Sequence, residues 1–297
     1  MASTATTYPP FHPNPGRPRF MPPAGACDTH FHVFGPGPGR LGDPSAAYRP
    51  VDAPESALEA MHKALGIDRG VLIQNTAAQV NYPAFIAELK GNPRLRGVAV
   101  INDATTDADL EQLHQAGVRG VRFHFVTFLK KRPTLETFRR AVDRIAALGW
   151  HVLVHVESVD LLELQSLFAS LRIPVIIDHI AHMDVALGME QPAFKALLEL
   201  HRRDHVWVKL ANSDRWSRAG APGYADAIPF GRALVANAPE RLVWGTDWPH
   251  VMYKRPLARD EPPPDDADLL NLLYDFAPDA ATLKRILIDN PLKLYPF

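Results

Sequence analysis

Short apolar runs alternate with amphipathic stretches along the chain from residue 26 onward. The apolar runs are rich in valine, isoleucine and leucine without strict alternation of apolar and polar residues, which is typical of parallel strands covered on both faces. We predict strands at Cys27–Val33, Gly70–Gln74, Leu95–Ile101, Val118–Phe125, His151–Val156, Pro174–His179, Val206–Leu210 and Leu242–Gly245.

The stretches between these runs have helical periodicity. Leu58, Met61 and Leu65 recur at intervals of three and four residues, as on one face of a helix. Thr134 and Asp160 are of the residue types that cap helix N-termini, and each lies at the start of a helical stretch. Eight strands with intervening helices predict an α/β fold, the (β/α)8 TIM barrel.

Two segments lie outside this repeating pattern. Residues 1–25 are rich in proline, and we expect an irregular arm there, followed by the barrel at residues 26–297. The segment Arg255–Pro264 is also rich in proline and follows the last predicted strand, so it is a candidate lid.

The composition argues against several classes of function. The formal net charge is −1 over 297 residues, so no basic field favours nucleic acid. No apolar run reaches the roughly 18 residues of a membrane span, and the N-terminus lacks the apolar stretch of a secretory signal. The single cysteine, Cys27, cannot form an intrachain disulfide. We expect a cytoplasmic protein without nucleic-acid or membrane partners. Whether it forms a homo-oligomer stays open.

Polar side chains recur at the predicted C-terminal ends of the strands, where barrels of this type have their active sites. His30 and His32 are two residues apart on an extended segment, so both point to the same side. Imidazole is a frequent metal ligand and also a hydrogen-bond donor near neutral pH. The later strand ends carry Arg122, His124, His155, Glu157, Asp178, His179, Asn212, Asp214, Arg215, Asp247 and His250. Such convergence predicts one shared pocket.

These strand-end residues resemble those of the amidohydrolase superfamily, in particular His30, His32, His155, His179 and Asp247. Longer segments are similar, within that superfamily, to the lactonases that open 2-pyrone-4,6-dicarboxylate and to related lactonases that act on sulfomuconolactone. The matching segments are Asp28–Pro36, Arg119–Phe123, Gly149–Val152, Ile177–His179, Trp244–His250 and Asn290–Tyr295.

The resemblance implies the hydrolysis of an anionic lactone in the catabolism of aromatic compounds. It implies that Asp247 is the general base that activates water. His30, His32 and His179 would then donate hydrogen bonds to the carbonyl oxygen of the lactone. The residues expected to bind the acidic groups of the substrate are Arg122, Arg215, His182, Lys131 and Arg132.

His155 departs from the lactonase pattern, which has a tyrosine at this position and functions without a metal. Three imidazoles and a carboxylate suit a tetrahedral or five-coordinate site with one position for water. We therefore expect one divalent ion, zinc or manganese, and its ligands would be His30, His32, His155 and Asp247. Metal-independent hydrolysis by the same residues is the alternative.

Two other classes of function stay open. A metal-dependent decarboxylase of aromatic acids would use the same barrel, the same strand-end ligands and the same arginines, and the presence of His155 favours it somewhat. A non-catalytic binding protein fits the convergence of so many polar residues less well. A lactonase releases a proton from its substrate, whereas a decarboxylase releases carbon dioxide.

Overall fold

The computed structural model describes residues 11–35, 52–75, 80–129, 132–251 and 263–297. Within them, eight parallel strands form one sheet whose order follows the chain. The strands are β1 Cys27–Phe31, β2 Arg69–Ile73, β3 Leu95–Ala99, β4 Val118–His124, β5 His151–His155, β6 Val175–Ile177, β7 Val206–Leu210 and β8 Leu242–Trp244. All eight predicted strands are confirmed, and their ends differ from the prediction by two residues at most.

Helices alternate with the strands and cover the outside of the sheet. They are α1 Glu55–Leu65, α2 Tyr82–Leu89, α3 Asp107–Gln115, α4 Leu135–Ala146, α5 Ser158–Ser170, α6 Pro192–His201, α7 Ser213–Trp216, α8 Ile228–Asn237, α9 Asp266–Phe276, α10 Ala280–Lys284 and α11 Asn290–Leu294. This alternation confirms the predicted (β/α)8 barrel. Among the described residues, no helix combines the length and the apolar character needed to cross a membrane.

One of the two predicted helix caps is confirmed and the other is wrong. The hydroxyl of Thr134 accepts the backbone N–H of Thr137 at 3.1 Å, which caps α4. At α5 the capping position is Glu157 and not Asp160. The carboxylate of Asp160 instead reaches back from the first turn and accepts the backbone N–H of Glu157 at 3.0 Å. Asp160 therefore satisfies an end group of the helix from inside it, as in a capping box.

The apolar core is divided between the outside and the inside of the barrel. The larger cluster lies between the strands and the helices. The smaller cluster fills the barrel, and it consists of Cys27, Val71, Ile73, Val98, Leu153, Ile176, Trp207, Val243, Leu294 and Tyr295. Leu294 and Tyr295 belong to the C-terminal segment around α11, so this segment packs into the barrel. The C-terminal ends of the strands are left to polar groups.

The segment before β1 contains no helix or strand between residues 11 and 26 and lies against α9. The guanidinium of Arg19 donates to Asp275 at 2.8 Å, and the hydroxyl of Tyr274 donates to the carbonyl oxygen of Phe20 at 2.6 Å. Most of the candidate lid, residues 255–262, lies outside the described residues.

Candidate active site

Polar side chains from several strand ends come together at the C-terminal end of the barrel. Imidazoles from the ends of β1, β4 and β5 lie near carboxylates from the segments that follow β6 and β8. The residues at these ends are His30, His32, Arg122, His124, His155, Asp178, His179, His182, Asp214, Arg215, Asp247 and His250. All of them are buried except His182 and Arg215, which are half-buried.

Asp247 and the two histidines at the end of β1 form the centre of this site. The Oδ1 atom of Asp247 lies 3.2 Å from Nε2 of His30 and 3.6 Å from Nε2 of His32. The Nδ1–H of His32 donates to the carbonyl oxygen of Ile73 at 2.9 Å, since a carbonyl oxygen can only accept. A His32 ring with a single N–H therefore has a lone pair on Nε2, where it can accept a hydrogen bond or bind a cation. Donation by His32 to a substrate carbonyl stays a prediction.

The carboxylate of Asp28 joins the end of β1 to the segment after β8. Its Oδ1 accepts the backbone N–H groups of His30 and Thr246, each at 3.0 Å. Its Oδ2 accepts the hydroxyl of Thr246 at 2.7 Å and contacts Nε2 of His62 at 3.0 Å. His62 cannot be recognised from the sequence as a partner of Asp28, because nothing in its own helical segment indicates a contact with β1.

Two backbone positions allow these segments to approach each other. A Cβ atom on Gly245 would lie 2.7 Å from the backbone nitrogen of His30, so a larger residue would push the segments apart. Asp247 has a φ of 59°, in the left-handed region that few residues other than glycine adopt. Its backbone N–H donates to the carbonyl oxygen of His30 at 2.8 Å, which fixes the two functional residues relative to each other.

Asp178, at the end of β6, pairs with Arg122 of β4. An Nη2–H of Arg122 donates to Oδ2 of Asp178 at 2.6 Å, and the same nitrogen lies 3.2 Å from Nε2 of His179. Burial raises the pKa of the Asp178 carboxyl, but His179, His30 and Arg122 together lower it further, so it lies well below its ordinary value. Asp178 is thus a buried carboxylate between the imidazoles and the cations.

Lys209 is a second buried cation, and sequence reasoning missed it. Its Nζ atom lies 3.0 Å from Nδ1 of His30, 3.1 Å from the carbonyl oxygen of Thr29 and 3.7 Å from Oδ1 of Asp178. Burial lowers the pKa of this lysine to about 8, although Asp178 opposes the shift. The available signal was a lysine inside the apolar strand Val206–Leu210, because a buried ammonium group needs polar partners.

His155 lies in a second group of histidines, apart from Asp247. Its Nδ1 is 3.0 Å from Nδ1 of His124, and its Nε2 is 3.0 Å from Nε2 of His182. The candidate ligand atoms of His155, His179 and His182 lie within 4.8 Å of one another, and so do those of His30, His32 and Asp247. The four expected metal ligands therefore fall into two groups, because β5 lies on the opposite side of the barrel from β1.

A left-handed turn after β6 places two of these histidines. His179, Ile180, Ala181 and His182 have φ angles of 51°, 52°, 52° and 47°. Such angles cost about 1–3 kcal/mol for a residue other than glycine and persist only where the surrounding structure holds them. Ile180 and Ala181 are fully buried, so packing stabilises the turn.

Comparison with known proteins identifies the family. A family model described as Amidohydrolase matches residues 27–297. This chain belongs to the amidohydrolase family. A 2-pyrone-4,6-dicarboxylate hydrolase from Comamonas testosteroni is 38% identical over 294 residues, covering 96% of this chain and 94% of the relative. A 4-sulfomuconolactone hydrolase from Rhizobium radiobacter is 40% identical over 281 residues, covering 93% of this chain and 91% of the relative.

A solved structure confirms the same relationship at the level of the fold. It is a probable 2-pyrone-4,6-dicarboxylic acid hydrolase from Acinetobacter baumannii with citric acid bound. The TM-score is 0.76 at 25% sequence identity, and the alignment covers 92% of this chain and 100% of that chain. The resemblance inferred from the strand-end motifs is therefore confirmed.

Arg215 binds the carboxylate of Asp247 in this amidohydrolase. Its Nη2 donates to Oδ2 of Asp247 at 3.0 Å and also to the carbonyl oxygen of Val251. Burial raises the pKa of the Asp247 carboxyl, but His179 and Arg215 lower it by more, so the pKa lies well below its ordinary value. Asp247 is therefore ionised near neutral pH.

His250 lies between two carboxylates on the segment after β8. Its Nε2 is 3.1 Å from Oδ1 of Asp266, and its Nδ1 is 3.7 Å from Oδ2 of Asp214. Burial by itself lowers the pKa of His250, but Asp266 and Asp214 raise it to about 10. The ring is thus a buried imidazolium that ties the segment after β8 to α7 and α9.

Three buried imidazoles of the site, those of His30, His155 and His179, are neutral near pH 7. Burial lowers the pKa of His30 to about 3, and it lowers the pKa of His155 and of His179 well below the ordinary value. Each of these rings therefore has one N–H donor and one lone pair.

Lys131 and Arg132 are the two loop residues predicted to bind the acidic groups of the substrate, and Lys131 lies outside the described residues. Arg132 donates to Asp160 at 3.1 Å and to Glu163 at 2.7 Å. Its guanidinium is therefore held by α5 rather than by the strand-end cluster.

Proposed function

We propose that this protein hydrolyses a lactone that carries carboxylate or sulfonate groups, of the 2-pyrone-4,6-dicarboxylate or 4-sulfomuconolactone type. The observation that carries the proposal is the buried Asp247 carboxylate, which faces His30 and His32 at the C-terminal end of the barrel. The two relatives reported above are named as hydrolases of these two lactones.

Asp247 is proposed as the general base. Its Oδ1 accepts a proton from a water molecule, and the water oxygen attacks the carbonyl carbon of the lactone. The bond between that carbon and the ring oxygen then breaks, and the proton passes from Asp247 to the ring oxygen. Arg215 binds Oδ2 at 3.0 Å, which leaves Oδ1 directed toward the imidazoles and the water.

The carbonyl oxygen gains negative charge as the water attacks, so it needs hydrogen-bond donors. The rings of His30 and His179 have centroids 4.7 Å apart, close enough for both to reach one oxygen atom. One such donor in a preorganised site contributes about 3 kcal/mol of transition-state stabilisation. The proposal assigns this role to His30 and His179, whereas Nε2 of His32, 3.6 Å from Oδ1 of Asp247, accepts a hydrogen bond from the attacking water and orients it.

The acidic groups of the substrate are proposed to bind near Arg122, Arg215 and His182. Two guanidinium groups and the ammonium of Lys209 lie around the same end of the barrel, which favours the entry of an anion. Substrate binding by Lys131 and Arg132 stays a prediction.

The residues do not fit the expected divalent ion as a set of four. His155 groups with His179 and His182, so of the four expected ligands only His30, His32 and Asp247 lie together. Arg122, Lys209 and Arg215 already balance the charges of Asp178 and Asp247, and a divalent cation would be placed among like charges. This geometry supports the metal-independent alternative, and we assign no step to a metal. The zinc or manganese ion stays a prediction that elemental analysis tests.

The test is incubation of the purified protein with 2-pyrone-4,6-dicarboxylate and, separately, with 4-sulfomuconolactone. We expect loss of the lactone absorbance with release of protons in a pH-stat, and no such release with Asp247→Asn. The same assay after exhaustive chelation, with metal analysis of the sample, is expected to retain turnover. Release of carbon dioxide from an aromatic acid, with both lactones unchanged, would establish the decarboxylase instead.

A further inference from the structure

Lys209 is a fully buried lysine to which the proposed reaction assigns no chemical step. Its side chain has 0% exposure, so water does not compete for its contacts. Nζ lies 3.0 Å from Nδ1 of His30 and 3.1 Å from the carbonyl oxygen of Thr29. An ammonium group has three donors and no acceptor, so Lys209 is the donor in both hydrogen bonds.

This contact determines which nitrogen of His30 carries the hydrogen. A neutral ring that accepts at Nδ1 has its N–H at Nε2. Nε2 is buried and has no hydrogen-bond partner among the described residues, although Oδ1 of Asp247 lies 3.2 Å away. The N–H is therefore available to a ligand that enters the volume in front of Asp247.

Asp178 is the competing partner of His30, because it would favour the other tautomer. Its Oδ1 lies 3.2 Å from Nδ1 of His30, but that oxygen forms no hydrogen bond with any described residue. Its Oδ2 accepts from Arg122 at 2.6 Å. The lysine contact at 3.0 Å, in contrast, has the geometry of a hydrogen bond. Lys209, and not Asp178, is therefore the hydrogen-bond partner of Nδ1 of His30.

The neighbouring imidazole shows the same arrangement with a different cation. Nη2 of Arg122 lies 3.2 Å from Nε2 of His179, and a guanidinium has donors only. His179 therefore accepts at Nε2 and carries its hydrogen on Nδ1. That atom is also buried without a hydrogen-bond partner among the described residues. Each of the two rings thus has its hydrogen placed by a buried cation on another strand.

We propose that Lys209 is a positioning residue that fixes His30 in the tautomer with hydrogen on Nε2, so that His30 donates to the carbonyl oxygen of the lactone. Arg122 acts on His179 in the same way. The identity of the acceptor rests on the proposed lactone hydrolysis, whereas the tautomer can be measured without any substrate.

Nitrogen-15 NMR of protein labelled at the histidine ring nitrogens tests the tautomer. A nitrogen with a hydrogen and one with a lone pair resonate in separate regions, and the signals of His30 are those that disappear in His30→Gln. We expect hydrogen on Nε2 in the wild type. In Lys209→Met, where Asp178 remains as the partner of Nδ1, we expect it on Nδ1. Hydrogen on Nδ1 of His30 in the wild type would overturn the proposal whether or not any variant folds.

Kinetics test the consequence for the reaction. Lys209→Met should lower kcat by about 10²–10³, the effect of losing one such donor, with little change in KM. Lys209→Gln keeps an N–H donor at this position and should retain the wild-type tautomer and part of kcat. It also replaces the methionine variant if circular dichroism shows that Lys209→Met does not fold. Lys195→Met is the control, since Lys195 is 58% exposed and pairs with Glu190 on the surface.

The outcomes separate this inference from the proposed function. Wild-type kcat in Lys209→Met, or an unchanged His30 tautomer in that variant, would overturn the positioning role. If the wild type carries hydrogen on Nε2 of His30 but hydrolyses neither lactone, the tautomer assignment is supported. The proposed function is then contradicted.

Discussion

Replacing Asp28 tests how the active-site ends of β1 and β8 are held together. Asp28→Leu removes the acceptor of two buried backbone N–H groups, those of His30 and Thr246, each bound at 3.0 Å. Asp28→Asn keeps one oxygen that can accept both. Its amide NH₂ then faces the Thr246 hydroxyl and the His62 ring, and each of these groups can turn from donor to acceptor.

The two variants should therefore differ strongly in stability. Each buried donor left without an acceptor costs about 1–3 kcal/mol, so Asp28→Leu should lower the free energy of unfolding by about 2–6 kcal/mol. Asp28→Asn loses the charge but leaves both backbone N–H groups with an acceptor. It should lower the free energy of unfolding by about 1 kcal/mol. Thr246→Val is an intermediate case, because it removes the 2.7 Å hydroxyl bond and leaves one buried backbone N–H, that of Trp248, without its acceptor at 3.1 Å; it should cost about 1–3 kcal/mol.

Urea unfolding at pH 7, followed by circular dichroism and tryptophan fluorescence, measures these differences. We also expect a lower kcat in Asp28→Leu, because the 2.8 Å bond between the Asp247 N–H and the His30 carbonyl aligns the reacting groups. The free energies of unfolding of Asp28→Leu and Asp28→Asn should differ by more than about 1 kcal/mol. A smaller difference would refute the argument that the two backbone donors account for most of the lost stability.

Three further predictions follow from the site. Asp247→Asn should abolish turnover while circular dichroism shows an intact fold, since an amide cannot accept the proton from water. A variant that keeps a tenth of wild-type kcat would remove Asp247 from the base role. Arg215→Ala should raise KM for an anionic lactone while exposed Arg202→Ala should not, and equal KM values would count against substrate binding by Arg215. The pKa of His250 is raised from 6.5 to about 10, so its contribution to stability is complete below pH 6.5 and is lost as the pH rises through 10. Between these pH values the free energy of unfolding of the wild type should fall with pH more steeply than that of His250→Gln, by about 1.4 kcal/mol per pH unit. Equal slopes of the free energy of unfolding against pH in the two proteins would contradict the buried imidazolium.

The eight strands and the barrel could be predicted from the sequence because their signals are local. A run such as Val206–Leu210 is apolar whatever the rest of the chain does, and Leu58, Met61 and Leu65 define a helix face by spacing alone. The positions of His30 and Asp247 at strand ends follow from the same runs. Because parallel strands end at one face of a barrel, the sequence alone also determined that these side chains share a region.

Only the tertiary structure decided the chemistry within that region. Lys209 and His30 are 179 residues apart in the chain, and their 3.0 Å contact exists because closure of the barrel places β7 and β1 on either side of β8. The circular arrangement of the strands also separates His155 from Asp247, and the packing of α1 beside β1 brings His62 to Asp28. Periodicity specifies which face of an element is buried. The partner that a buried polar group meets there depends on the register and closure of the whole sheet, and that partner determines the tautomer of each histidine.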